Sequence, residues 1–333
     1  QNLAPAMGGG PAAASYQLLE RSQQKHTLYA RRHMFALRRM VIGAPPVLEI
    51  SEGEYTALSA AQKGLVEALF VEQKLALLVA NYEELESDIL RLALHTSLYN
   101  RMAWADEVEE LTRLNRRMSN FLSSARLYID QVQHHFSILF GKGSAEAERL
   151  MACASVQYDT RLGYRVMEAL RNYSQHRGWP VHSVNRLISR IEESDKTREH
   201  LRHTASLHLN VERLRNDGGF KAAVLDELEA AKPTPDLKLL ARSYLDGLGT
   251  VHMLAREILA ELLDEWEQAV EDAVARYTAA TGGEASLVAA VELDGARVVA
   301  HTDLFPELAE HRRRLAGVHK HLQHSERSVV SGY

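Results

Sequence analysis

The sequence predicts a mainly α protein, built from a bundle of long helices with one small C-terminal β-hairpin at about 287–302. Apolar residues recur at intervals of three and four over long stretches, which places them on one face of a helix. Glycine-containing breaks at 141–148 and 215–219 separate these stretches. An Asp-Gly pair between two β-branched runs predicts the hairpin.

The N-terminal segment is expected to be flexible or partly ordered over residues 1–50. It begins with QNLAPAMGGGPAAAS, which is rich in Gly, Ala and Pro and is expected to be a flexible leader or to contain residues foreign to the native protein. Residues 16–39 are basic and mildly amphipathic, and Pro45 and Pro46 then exclude a helix.

Long helices are predicted for the middle of the chain. Leucines between Leu65 and Leu92 predict one helix or two from about 59 to 95, and the repeat from Leu111 to Val132 predicts a bundle helix of coiled-coil character. A further helix should contain Leu162 to Tyr173 and end at RGWP. Helical periodicity then resumes after Pro180, through Leu187 and Ile191, as far as the double glycine of RNDGG.

The C-terminal third should begin with another long helix, capped by Asp236 and ending near TGGE. Asp294 and Gly295 suit the positive φ angles of a type I′ turn. Because an isolated hairpin is marginally stable, it should pack on the bundle or pair with VLEI near residue 48. A basic, His-rich helix and a tail follow. The predicted divisions are 1–50, a helical domain over 55–215, and a C-terminal region over 220–333.

Composition narrows the functional classes. The chain has 333 residues, 46% of them hydrophobic and 25% charged, as in folded globular proteins. Its net charge of −5 argues against a surface made throughout for nucleic acid, although a local basic groove is compatible with it. Cys153 is the only cysteine, which excludes an intrachain disulfide and a Cys-based zinc site. With no long apolar run and no signal peptide, a cytoplasmic protein with no membrane contact is expected.

Metal and cofactor motifs are weak. His200 and His203 have the i, i+3 spacing of some metal ligands but no matching third ligand, and His134 and His135 point in different directions on a helix. FGKGSAEAE lacks the ending of a phosphate-binding loop. No metal and no cofactor is therefore predicted.

The segment ALRNYSQHRGWPVHSV, residues 169–184, carries the most specific chemistry. Arg171 lies five positions before His176 at the end of an apolar helix. The bare pattern of an Arg and a His at this separation is common by chance, since the chain has 16 histidines. Several other pairs match the looser pattern of an Arg, four to six residues and a His, among them Arg177/His182, Arg198/His203 and Arg202/His208.

The setting of Arg171 is more specific, because YRVMEALRNYSQHRGWPVH resembles the signature segment of HEPN-domain proteins, an all-helical family. There the Arg is commonly followed by a polar residue, often Asn, with the His a few residues later. Arg171, Asn172 and His176 match this motif. The resemblance covers residues 60–215 by helix order and about 20 residues by motif. It implies a composite site across a homodimer interface and, in many members, metal-independent ribonuclease activity.

The residue types suit RNA cleavage. RNA carries its own nucleophile in the 2′-OH, so His176 would move a proton, Arg171 would stabilise charge on the phosphate and Asn172 would orient them. On a regular helix Arg171 and His176 point about 140° apart. A shared site therefore requires fraying near Gln175 or completion by the second copy.

RNA binding is predicted around the same segment. Residues 161–203 contain eight Arg and one Lys against five acidic residues, a net charge of +4. The candidate substrate-binding residues are Arg165, Arg177, His182 and Arg186. We expect a homodimer whose two His176 side chains face a common basic groove.

Several alternatives stay open. Basic residues at a helix C-terminus also complement the helix dipole, so RNYSQH can be a helix end without activity. The protein would then be a non-catalytic HEPN protein that binds nucleotide, RNA or a protein partner, or a structural helical adaptor. As an enzyme it would suit a toxin or phage-defence effector with an antitoxin or defence partner. Glu86 and Asp88 match loosely the acidic residue that family members often place opposite the Arg, and an ordinary solvated face is the likelier interpretation.

Overall fold

The computed structural model describes residues 33–99, 103–191, 200–282, 284–320 and 322. Within these ranges it has eight helices and six strands, which confirms the mainly α prediction. The leader expected for the first residues lies outside the described residues. In the described part of the chain, no helix is both long and apolar enough to cross a bilayer.

The chain packs as two compact units that combine distant stretches of sequence. Within the described ranges, one contains residues 33–63 and 265–306, and the other contains residues 64–264 and 307–322. The divisions predicted from the sequence, by contrast, are consecutive segments: 1–50, 55–215 and 220–333. Two long helices, α1 (Glu52–Leu98) and α7 (Leu237–Thr281), contribute residues to both units.

The smaller unit is built on a four-stranded antiparallel sheet with the strand order β2-β1-β5-β6. Its strands are β1 (His33–Arg39), β2 (Val47–Ile50), β5 (Val288–Asp294) and β6 (Arg297–Asp303). The predicted hairpin is confirmed as β5 and β6. VLEI belongs to the same sheet but does not pair with the hairpin, because β1 lies between them.

The hairpin turn differs from the expected type I′ turn around Asp294-Gly295. Asp294 is the last residue of β5 and pairs with Arg297, so Gly295 and Ala296 form the loop. Gly295 has a φ of 65°. A positive φ at the first loop position is the requirement of a type II′ turn, which glycine meets without strain.

The larger unit contains the candidate site and most of the helices. Its elements besides parts of α1 and α7 are α2 (Trp104–Phe140), α3 (Ala145–Thr160), α4 (Leu162–His176), β3 (Ser183–Ile191), β4 (His200–His208), α5 (Val211–Asp217), α6 (Ala222–Ala230) and α8 (Glu307–Val318). The helix predicted from about 59 to 95 is one continuous helix. Asp236 caps α7 as predicted, because its Oδ1 accepts the backbone N–H of Lys238 at 3.0 Å.

The helix expected after Pro180 is wrong, because this stretch forms the two-stranded sheet of β3 and β4. The four-residue spacing of Leu187 and Ile191 resembles a helical face. In β4, however, Ala205 and Leu207 are buried while Thr204 is exposed, which is the alternation of a strand. Strand pairing therefore overrides the apparent helical spacing.

Helix α4 is seated deeply in the larger unit. A Cβ atom on Gly163 would lie 2.5 Å from the carbonyl oxygen of Leu240, so only glycine allows this approach to α7. Tyr164 packs edge-on against Tyr244, with ring centroids 4.7 Å apart. These contacts fix the helix that carries Arg171 and His176.

Candidate functional site

The last two turns of α4 have one buried and one exposed side. Val166, Met167, Leu170 and Tyr173 are buried and hold the helix in the core. Asn172 and His176 are exposed, and Arg171 is half-buried. Hydrophobic packing therefore presents the predicted motif at the surface without using its side chains.

The helix is regular to its end. His176 is the last residue of α4, and the backbone N–H of Arg177 donates to the carbonyl oxygen of Tyr173 at 2.8 Å. The fraying near Gln175 that would bring Arg171 and His176 together is therefore not observed. Of the two routes to a shared site, completion by a second copy is the one that this geometry leaves.

Asn172 contacts Arg171 and shares a helix face with His176. Asn172 and His176 are four positions apart, so they lie on the same helix face. The Nη1 atom of Arg171 donates to the Oδ1 atom of Asn172 at 3.0 Å, which places the tip of the guanidinium beside that face. The Nε atom of Arg171 is buried, and the described residues provide no hydrogen-bond partner for it. Within the described residues, no side chain forms a hydrogen bond or ion pair with the imidazole of His176.

Two predicted substrate-binding residues are engaged in ion pairs. Arg165 makes a forked pair with Glu227, and its Nη1 atom also donates to the carbonyl oxygens of Tyr158 at 2.8 Å and Asp159 at 2.6 Å. Arg186, on β3, contacts Glu107 at 3.2 Å. The guanidinium of Arg165 thus braces the protein, and it is a poor candidate for binding phosphate.

The other two predicted residues lie at the end of α4. Arg177 is exposed, and its Nη1 atom donates to the carbonyl oxygen of Asp217 at 3.3 Å. The Nδ1 atom of His182 accepts the backbone N–H of Asn210 at 2.8 Å, while its Nε2 atom is buried without a partner. Burial, followed by the nearby charge of Arg213, lowers the pKa of His182, so its ring is neutral at pH 7 and carries its proton on Nε2.

A buried asparagine fixes the loop after His176, and sequence reasoning missed it. The Oδ1 atom of Asn115 accepts the backbone N–H of Val181 at 2.8 Å, and its Nδ2 atom donates to the carbonyl oxygen of Val181 at 3.0 Å. Asn115 is 2% exposed. An asparagine next to Leu114 on the apolar side of a predicted bundle helix was the available signal, since buried amides need partners.

The acidic residues compared loosely with the HEPN pattern do not face Arg171. Glu86 pairs with Arg242 at 2.7 Å, and Asp88 pairs with Arg117 at 2.8 Å. Both carboxylates therefore join neighbouring helices. The ordinary solvated face expected for this segment is wrong for Asp88, which is buried, and Glu86 is half-buried.

A second polar cluster lies inside the larger unit. The carboxylate of Glu72 makes a forked pair with Arg256, at 2.8 and 2.7 Å, and contacts Nε2 of His252 at 3.2 Å. The Nδ1 atom of His252 is 3.0 Å from the hydroxyl of Tyr128. Burial alone would raise the pKa of Glu72, but the hydrogen bonds of Arg256 and His252 lower it to about 2. The sequence analysis identified none of these residues.

A cavity in the larger unit and possible metal sites were also considered as places for a ligand. A cavity of about 770 Å³ is lined by residues that include Arg161, Gly163, Leu240 and Ser243. It lies at the N-terminal end of α4, about 20 Å along the helix from His176. In the described ranges, no group of three or more His, Cys, Asp and Glu residues is arranged to hold a metal ion.

The two pairs of histidines considered as metal ligands differ in the burial of their side chains. His134 is exposed, whereas His135 is buried and lies 2.6 Å from a carboxylate oxygen of Glu67. His203 is half-buried, and nothing is described for the side chain of His200.

Compared with known proteins, the chain matches no family model, no curated protein and no solved structure.

Proposed function

We propose that this protein is a HEPN-type, metal-independent RNA endonuclease that acts as a homodimer. One observation carries the proposal: Asn172 and His176 share an exposed helix face, and the guanidinium of Arg171 is hydrogen-bonded to Asn172 at its edge. Each copy thus presents all three residue types of the motif at its surface, where a second copy can complete the site. The roles of toxin or phage-defence effector, and an antitoxin or defence partner, belong to the same proposal.

The reaction uses groups that the motif supplies. The 2′-oxygen of RNA attacks the adjacent phosphorus and gives up its proton, and the bond to the 5′-oxygen breaks as that oxygen takes up a proton. The products are a 2′,3′-cyclic phosphate and a 5′-hydroxyl. An imidazole can accept the first proton or deliver the second, and a guanidinium stabilises the charge on the phosphoryl oxygens.

The second copy has a defined role in this scheme. A two-fold axis beside α4 would bring both copies of the motif into one cleft. It would place Arg171 of one copy near His176 of the other, so that one guanidinium and one imidazole from different copies act on one phosphate. The regular helix end supports this arrangement over a site formed within one copy.

The test is cleavage of mixed RNA by the purified protein in EDTA. We expect cleavage that His176→Ala abolishes and that Arg171→Ala reduces by at least about 100-fold, the cost of losing a group that stabilises the transition state. His301→Ala is the matched control, because His301 is also exposed but lies on β6. The proposal fails if the wild-type protein leaves RNA intact, or if cleavage survives both motif substitutions.

A non-catalytic HEPN protein that binds RNA or a protein partner is the second candidate. Within this candidate, the ion pairs of Arg165 and Arg186 favour a protein partner over RNA, because they engage within the protein itself two of the four residues predicted to bind RNA. This candidate predicts binding of RNA or protein without a cleaved product, which the same experiment distinguishes.

A further inference from the structure

Trp179 is an exposed aromatic residue three positions after His176. Its side chain is 56% exposed, although it lies between residues that the fold holds closely. In the part of the chain that the structure describes, no aromatic ring stacks on the indole. Single exposed apolar side chains are common at protein surfaces. The position of Trp179, three residues after the proposed catalytic histidine, and not its exposure alone, therefore suggests a role in binding.

The loop that carries Trp179 is fixed on both sides. On one side, a Cβ atom on Gly178 would lie 2.8 Å from the hydroxyl of Tyr173, so the backbone approaches this buried ring closely. On the other, Pro180 is buried and Val181 makes its two hydrogen bonds to Asn115. The backbone on both sides of Trp179 is therefore held in place, while the side chain stays more than half exposed.

The segment that carries the indole also supplies a cation. Arg177 is exposed two positions before Trp179, and its Nη1 atom donates to the carbonyl oxygen of Asp217 at 3.3 Å. Sites for single-stranded nucleic acid combine such cations with aromatic faces on which bases stack. Stacking requires an unpaired base, because the faces of bases in a duplex are covered by their neighbours.

We propose that Trp179 is a stacking platform for an unpaired base beside the scissile phosphate, and that the substrate class is single-stranded RNA. This inference rests on the proposed function for the identity of the phosphate. It adds a specificity-determining residue that does not take part in proton transfer. Arg177 would contact the phosphate next to the stacked base.

Binding can be measured apart from cleavage with a short 2′-O-methyl oligoadenylate, which lacks the 2′-OH nucleophile. The full chain and its Trp179→Ala, Trp179→Phe and Trp104→Ala variants are titrated with this oligonucleotide, with its duplex form and with the matching DNA strand. Trp104 is the matched control, because it is also exposed, at 78%, and lies on α2. Light scattering of each variant reports its oligomeric state.

We expect the wild-type protein to bind the single strand more tightly than the duplex. Trp179→Ala should weaken this binding by roughly tenfold, as for the loss of one stacked base. Trp179→Phe should keep most of the affinity, and Trp104→Ala should bind like the wild type. The DNA strand should bind about as tightly as this analogue, because neither has a 2′-OH and the proposed contacts are to a base and a phosphate. Cleavage of the DNA strand, which has no 2′-OH nucleophile, would overturn the assignment to RNA.

Three further outcomes would overturn the inference: no binding by the wild-type protein, equal binding by Trp179→Ala, or dissociation of a dimer in that variant. The last would assign Trp179 to a contact between copies. Failure of the proposed function is distinguishable. An absence of cleavage with Trp179-dependent binding refutes only the nuclease, whereas cleavage with unchanged Trp179→Ala binding refutes only the stacking platform.

Discussion

His176 and His252 lie in the same compact unit but in opposite environments. His252 is 1% exposed, and both of its ring nitrogens have partners, Tyr128 and Glu72. His176 is exposed at the end of α4, and the described residues provide no partner for its ring. The sequence offers 16 histidines, so this difference in environment decides which of them can meet a substrate.

The buried cluster explains why a complete set of partners indicates structure. Burial lowers the pKa of His252, against the opposing effect of Glu72, so the imidazole is neutral while Glu72 is ionised. Its Nε2–H then donates to Glu72, and its Nδ1 accepts from Tyr128. Every side chain of this cluster is hydrogen-bonded to another side chain of the cluster. The end of α4, by contrast, has polar side-chain atoms that are available to a ligand.

The largest expected effect is the loss of the buried carboxylate. Glu72→Gln should lower the free energy of unfolding by about 3 kcal/mol, because it leaves a buried cation without its counter-charge. This is the lower end of the usual range, since Arg256 keeps 17% exposure of its side chain. Urea denaturation measures the change.

Glu257→Gln is the control for that substitution. Glu257 pairs with Arg149 at the surface, where both side chains are more than half exposed, so its removal should cost at most about 1 kcal/mol. Equal stability of Glu72→Gln and the wild-type protein would contradict the structural role assigned to the buried cluster.

Asn115, which is buried on α2, and Asn172, which is exposed on α4, should also differ in their contribution to stability. Asn115→Ala should destabilise the protein by roughly 1–3 kcal/mol, because the buried backbone of Val181 would lose its two partners. Asn172→Ala, at an exposed position, should change stability by less than about 0.5 kcal/mol while it lowers cleavage. Thermal unfolding compares them, and a reversed order would place the structural asparagine on α4.

The buried histidine predicts a dependence of stability on pH. Because the pKa of folded His252 is below the ordinary value of 6.5, its contribution is fully present above pH 6.5 and is lost as the pH falls below it. His182 and His319, whose pKa values are also lowered, act in the same direction. The slope for His252 is at most about 1.4 kcal/mol per pH unit.

Denaturation midpoints between pH 7 and 5 test this contribution. His252→Gln should have a shallower dependence on pH than the wild-type protein, and the exposed His301→Gln should match the wild type. Identical slopes in all three proteins would contradict a lowered pKa of His252 in the folded protein.

The smallest effect on stability is expected at the proposed catalytic residue. His176→Ala should shift the free energy of unfolding by less than about 0.5 kcal/mol, since an exposed side chain without partners contributes little to folding. A loss of more than about 1 kcal/mol in urea denaturation would show that His176 completes the helix end, as the alternative interpretation of RNYSQH requires.

The predictable parts of the fold are those with a strong local pattern. The apolar repeat from Leu111 to Val132 predicted α2, and Asp294-Gly295 predicted the hairpin, although not its turn type. Strand β1 was missed, because neither its pairing with β2 nor its pairing with β5, about 250 residues away, is visible in its local sequence. β3 was mistaken for a helix because Leu187 and Ile191 are four positions apart. Pairing between strands is a tertiary contact that local spacing does not contain.

The candidate site shows the same limit. Arg171, Asn172 and His176 were found because they lie within six residues of each other. Asn115 was not, because its hydrogen bonds to Val181 span 66 positions. The ion pair of Arg165 with Glu227, which spans 62 positions, also escaped prediction, and for that reason a bracing arginine was assigned to substrate binding.

Mixing two inactive variants tests the composite site most directly. Arg171→Ala and His176→Ala homodimers are each expected to lack cleavage activity, but a mixed dimer keeps Arg171 in one copy and His176 in the other. If the two residues act on one phosphate across the interface, mixing the variants and allowing subunits to exchange should restore EDTA-resistant cleavage of single-stranded RNA. Mixed dimers that form, as shown by differently tagged copies, and yet stay inactive would contradict a site shared between two copies.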